Sequence, residues 1–145
     1  MNWNFAKNYL NEKKVEWKPM RDGAGIGMAE LGETKKDMVV LGADTTESSR
    51  AHYFAKKFPE RFIQVGVAEQ NLVGISAGLS YQGKVPYAVT YAPFLIGRPW
   101  EPIRTIIAYP ERHVVFVSSH AGLATGQDGR THQITEAIAL PRCLP

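Results

Sequence analysis

The stretch RFIQVGVAEQNLVGISAGLSYQGKVPYAVTY, residues 61–91, decides how the rest of the chain is read. It opens on a short apolar run, RFIQVG, and closes on VPYAVTY, with Pro86 near the start of that run. Runs rich in Val, Ile, Phe and Tyr are expected as strands. The segment between them, Glu69 to Tyr81, has helical composition. Within residues 65–79 Glu69 is the only ionisable side chain, set between Ala68 and Gln70 ahead of a small, glycine-spaced apolar run. A lone carboxylate at the mouth of a buried helix calls for an explanation.

Outward from that unit the alternation continues. Upstream, DMVVLGAD gives a buried strand over 38–42 and a turn at Asp44. TTESSRAHYFAKKF offers hydroxyl caps and then a short helix. Residues 21–36 fit a helix imperfectly, weakened by Gly23, Gly25 and Gly27. Downstream, PFLIGRPWEPIRTIIAYP is a helical stretch expected to break at Pro99 and Pro102, and HVVFVSSH is a fourth strand. AGLATGQDGRTHQ is a glycine-rich loop, and ITEAIALPRCLP begins a last helix. Alternating strands and helices predict an α/β domain with a mainly parallel sheet. Its strands are apolar on both faces, as strands covered by helices must be, which gives a three-layer α/β/α sandwich. Residues 1–18 are expected as a polar arm or helix, with Trp3, Phe5 and Leu10 as its contacts, and 19–145 as the domain.

The totals narrow the function classes. The 145 residues suit one compact domain, with 44% apolar and 21% charged residues as in ordinary globular chains. Seventeen basic against fourteen acidic residues leave +3, a mild excess that suits an anionic ligand and is too small to argue for nucleic acid. The basic pairs Lys13–Lys14, Lys35–Lys36 and Lys56–Lys57 are solvated faces. A single cysteine, Cys143, excludes an intramolecular disulfide. The N-terminal MNWNFAKNYLNEKK is polar and unlike a signal peptide, and no apolar run is long enough for a membrane span, so the expected location is the cytoplasm.

In parallel sheets ligands bind beyond the carboxyl ends of the strands. That rule selects Asp44 and Ser48, Gly66–Glu69, Thr90–Phe94 and His120–His132, where the polar and unusual residues of the chain gather. Glu69 has two readings. The free N–H groups of a first helical turn favour its ionised form and apolar neighbours favour its protonated form, so it is poised to share a proton with a ligand nitrogen; alternatively it only answers those N–H groups. His120, Asp128 and His132, spaced by eight and four residues, match no thiolate zinc pattern, and no metal site is expected. They suit a polyhydroxylated ligand, or an ordinary polar loop. Tyr91 and Phe94 are either core or a face for a heterocycle. Arg21 and Ser48 could hold a phosphate.

Together these segments resemble a known family. The run from Arg61 to Phe94 with its AEQN, then PWEPIRTIIAYP, then SSHAGLATGQDGRTHQ, resembles the pyrimidine-binding domain of transketolase from about Arg21 to the last residue. The resemblance implies the thiamine diphosphate-binding fold. It implies that Glu69 contacts N1′ of the aminopyrimidine and so promotes loss of the thiazolium C2 proton. Phe94 would stack on that ring, with Tyr91 and Asp44 near the cofactor. Arg21, Ser48, His120, Asp128 and His132 would bind the sugar phosphate substrate, and His132 would also serve catalysis beside the reacting hydroxyls. The family's diphosphate-and-magnesium motif, GDG…N, is not found in this sequence. The expected partner is therefore an N-terminal subunit carrying that domain and the metal, in a dimer or larger assembly, as for the C-terminal subunit of a split transketolase ended early. Alone, the chain would be inactive. A deoxyxylulose phosphate synthase, a 2-oxo acid dehydrogenase β-subunit, and a non-catalytic domain of the same fold are the alternatives.

Overall fold

The computed structural model describes residue 15 and residues 17–145. The expected N-terminal arm, with Trp3, Phe5 and Leu10, lies outside the described residues. Four parallel strands form one sheet: β1 (Met38–Gly42), β2 (Phe62–Gln64), β3 (Val85–Tyr91) and β4 (Val115–Ser119). Their order is β2-β1-β3-β4. Leu41 pairs with both Ile63 and Ala88, and Ala88 with Phe116. Every residue of β1 is buried, as a strand covered on both faces requires.

Alternate β1 side chains face opposite layers. Val39 and Leu41 join Leu72 of helix α3 (Glu69–Tyr81) in one core. Met38 and Val40 join Met28 of α1 (Met20–Thr34) and Phe54 of α2 (His52–Lys57) in the other. The predicted three layers are thus formed. A third cluster packs Val73 and Ala77 of α3 on Ile103 and Ile107.

The glycines that weaken the α1 pattern divide by role. Arg21, Gly25, Met28 and Gly32 form one stripe at helical spacing, and the last three are buried. A Cβ on Gly25 would lie 2.5 Å from the Arg50 carbonyl oxygen, and one on Gly32 would lie 2.6 Å from the rings of Phe54 and Phe58. Close approach of α1 to α2 therefore depends on these two. Gly23 and Gly27 meet nothing.

Three local expectations are corrected. The hydroxyls ahead of α2 do not cap it. Ala51 is the N-cap, and Ser48 and Ser49 donate back to the Thr45 carbonyl at 3.2 and 2.6 Å. The helical stretch after β3 breaks at Pro99 but not at Pro102. It runs as a π-helical turn (Pro93–Gly97), then α4 (Trp100–Pro102), then a second π-helical segment (Ile103–Ala108). Pro102 is tolerated because it lies in the first turn after the break, where its missing N–H has no partner to lose. The last helix, α5 (Ala139–Arg142), is shorter than ITEAIALPRCLP implied. Among the described residues no helix is long and apolar enough to cross a membrane.

Candidate functional site

The strand order reverses between β1 and β3, because β2 follows β1 on one side and β3 on the other. The crevice beyond the carboxyl ends of these two strands is the topological switch point. Gln64, at the end of β2, braces the turn that follows β1. Its Oε1 accepts from the backbone N–H groups of Asp44 (2.7 Å) and Gly66 (3.2 Å), while Nε2 donates to Thr46 Oγ1 (2.8 Å). This amide holds Asp44 in a left-handed conformation, φ 58°. Thr45 Oγ1 donates to the buried Thr90 Oγ1 at 3.1 Å, joining the ends of β1 and β3.

Two cavities open at this end of the sheet. The smaller, about 350 Å3, is lined by Asp44, Thr45, Glu69, Phe94, Arg98 and His132, among others. Glu69 is the first residue of α3, and only 4% of its surface is exposed. Both of its carboxylate oxygens accept from Arg98 Nη1 at 2.9 Å. The Arg98 guanidinium in turn lies over the Phe94 ring, its Cζ 4.3 Å from the centroid. His132 meets Phe94 edge-on, with centroids 5.1 Å apart, and its Nδ1 is 2.9 Å from Thr131 Oγ1.

The larger cavity, about 760 Å3, is lined by Arg21, Ser49, Tyr91, His120, Thr125 and Asp128, among others. Arg21 Nη1 donates to His120 Nε2 at 3.0 Å. A guanidinium only donates, so Nε2 accepts, and the imidazole is the neutral form with its proton on Nδ1. That proton faces Ser119 Oγ at 3.0 Å, and the serine donates on to the Thr90 carbonyl at 3.3 Å. Burial, and then the Arg21 cation, push the His120 pKa below its ordinary value, with Asp128 pulling the other way. Arg21 Nε and Thr125 Oγ1 are buried without hydrogen-bond partners among the described residues, and both residues line this cavity. Polar atoms in that state are ready for a ligand's oxygens.

Tyr91 stands between the two cavities. Its ring stacks on His120 at 3.9 Å and lies 6.2 Å from Phe94, nearly parallel to it. Glu69, Asp44, Phe94 and His132 are thus brought together in the small cavity, and Arg21, His120, Asp128 and Tyr91 in the large one. Two expectations change. His120 and Asp128 do not share a cavity with His132, although one loop carries all three. Ser48 lines neither cavity, its hydroxyl being turned to the Thr45 carbonyl, and the neighbouring Ser49 lines the large one.

Arg98 was not singled out by its sequence context, yet two signals point to it. It follows Phe94 by four residues, one helical turn. A buried carboxylate with no cation nearby in sequence also needs one from elsewhere in the fold. Among the described residues no group of three His, Cys, Asp or Glu side chains could hold a metal ion.

This arrangement has known counterparts. The family model for the transketolase pyrimidine binding domain matches residues 18–145. A putative transketolase C-terminal section from Methanocaldococcus jannaschii is 46% identical over 129 residues, which is 89% of this chain and 41% of the relative. A solved structure described as a split gene transketolase, inactive beta4 tetramer, superposes with a TM-score of 0.74 at 46% identity, covering 86% of this chain and 39% of the other. Transketolase from Leishmania mexicana superposes at 0.79 with 26% identity, over 92% and 22%. The chain thus spans about two-fifths of the length of the first two relatives. By sequence and by fold, the chain belongs to the transketolase family as its pyrimidine-binding domain.

Proposed function

We propose that this chain supplies the pyrimidine half of a thiamine diphosphate-dependent transketolase site, moving a two-carbon ketol unit from a ketose phosphate to an aldose phosphate. The observation that carries the reading is the Arg98 guanidinium itself. A flat, N–H-bearing group fits between the Phe94 face and the Glu69 carboxylate at the switch point. An aminopyrimidine is such a group, and the residues present fit it. Phe94 would stack on the ring. Glu69, sheltered from water, would hold the proton at N1′ rather than lose it to solvent. Asp44 and His132 would border the ring's edge, with His132 beside the reacting hydroxyls. When bound, thiamine diphosphate supplies the carbon nucleophile that breaks and remakes the ketose carbon–carbon bond.

In the large cavity Arg21 and Ser49 are the candidates for the sugar phosphate's anionic end. Arg21 would use its unpaired Nε, and His120 and Asp128 would take up hydroxyls. The diphosphate and its divalent metal, such as magnesium, would be held by a partner chain. That inference draws on the M. jannaschii relative, described as a C-terminal section, and on the split gene transketolase. We place the protein in the cytoplasm, where sugar phosphates are found.

Reconstitution tests the reading. The chain is mixed with a subunit bearing the diphosphate domain, and ketol transfer is measured from a ketose phosphate and, in parallel, from pyruvate. Activity is expected only in the mixture and only from the ketose phosphate. Glu69→Gln should lower it by about 100-fold or more, the usual scale for a lost acid–base group. Full activity in Glu69→Gln would overturn the assignment.

A further inference from the structure

We propose that Arg98 is a built-in plug: in the cofactor-free chain its guanidinium occupies the aminopyrimidine's place and must swing out before the ring can dock. This inference rests on the reading of the small cavity as the cofactor's seat. Three observations support it. Both oxygens of Glu69 accept from Arg98 Nη1, so the guanidinium stands where a ring nitrogen would have to approach them. The guanidinium covers Phe94 at 4.3 Å, within stacking distance, so the aromatic face cannot take a ring as well. The plug also has somewhere to go, because the Arg98 side chain is 48% exposed while Glu69 is 4% exposed.

The movement required is small. Gln70 Nε2 donates to the Arg98 carbonyl at 3.3 Å, and Pro99 beside it is fully buried. The backbone at 98 is therefore held against the first turn of α3, and rotation of the side chain alone opens the seat. The contact keeps Glu69 from being a buried, unpaired charge while the seat is empty. It also lowers apparent affinity for the ring, because binding draws only on the fraction of molecules with the plug out. The device thus couples cofactor arrival to release of one arginine head at the mouth of the cleft.

The test uses the full chain and a defined probe, the free 4-amino-2-methylpyrimidine fragment of thiamine, titrated by calorimetry. Arg98→Met keeps the apolar stem and removes the guanidinium. It is expected to bind the fragment about tenfold more tightly or better. In the unmutated chain the NMR signal of the Arg98 Nε–H should move toward that of a solvent-exposed arginine as the fragment saturates. Equal or weaker binding by Arg98→Met, with binding by the parent chain, would overturn the plug and leave the seat intact. If Arg98→Met does not fold, an Arg98 signal unchanged at saturation in the parent chain overturns it equally. Failure of both proteins to bind would remove the seat itself, and the plug with it.

Discussion

His120 shows how one residue ties the site to solution conditions. It accepts a hydrogen bond from Arg21 at Nε2, which requires the neutral ring, donates from Nδ1 to Ser119 and stacks on Tyr91. Its pKa in the folded chain lies below the ordinary 6.5, from burial first and the Arg21 cation second. Between the two values the unfolded chain binds the extra proton, so this contribution is complete above pH 6.5 and is lost as the pH falls through the folded value. Thermal denaturation of the parent chain should therefore show a loss of stability on acidification below pH 6.5. His120→Asn should flatten that part of the profile, and an unchanged profile would separate His120 from the effect. Residues of this kind were partly legible in the sequence. The strand-end rule selected Glu69, Asp44, Phe94 and His120 because polar groups there have few structural alternatives. It could not apportion the loop's polar residues between two cavities, because a glycine-rich loop does not encode the direction of its side chains. It selected Ser48 without foreseeing that its hydroxyl turns back to the Thr45 carbonyl, since the placement of a residue at a turn depends on backbone angles that its identity does not fix.

Among the elements, β1 and α3 were the most legible, with β1 at 38–42 and α3 at 69–81 as expected. Each is a run whose apolar pattern and flanking turns agree. Helix α1 was the least legible by pattern, since its buried stripe holds two glycines that count as helix breakers in sequence. Packing explains them, and substitutions separate the two kinds of glycine. Gly32→Ala should cost about 1–3 kcal/mol, because its methyl group would overlap two phenylalanine rings. Gly27→Ala, at an exposed position with open space around it, should stabilise by about 0.5–1 kcal/mol. Urea denaturation of both variants measures the difference, and equal effects would show that the contact of α1 with α2 yields easily. The π-helical turns after β3 were missed, because a widened turn has the same apolar spacing as an ordinary helix over so few residues.

At the scale of the molecule, the two cores meet across β1 and β3, and the sheet thins toward the three-residue β2 and half-buried β4. Hydrogen exchange should rank the chain accordingly. Amides of β1 and β3 should exchange last, near the global unfolding limit, and those of residues 121–133 first. Early exchange in β1 would contradict this account of the core. The stripe of Arg21, Gly25, Met28 and Gly32 carries a last consequence, since it makes α1 behave as a keyed shaft. The two glycines lie seven residues apart, about two helical turns, so the helix seats on its neighbour at one rotational setting. Arg21 sits one turn before the first key, and its bearing on the large cavity is set by that indexing. A single residue inserted between Arg21 and Gly25 would turn the guanidinium by about 100° and advance it by about 1.5 Å while leaving the keyed part seated. The spacing of the helix, as much as the identity of the arginine, thus sets the wall of the large cavity.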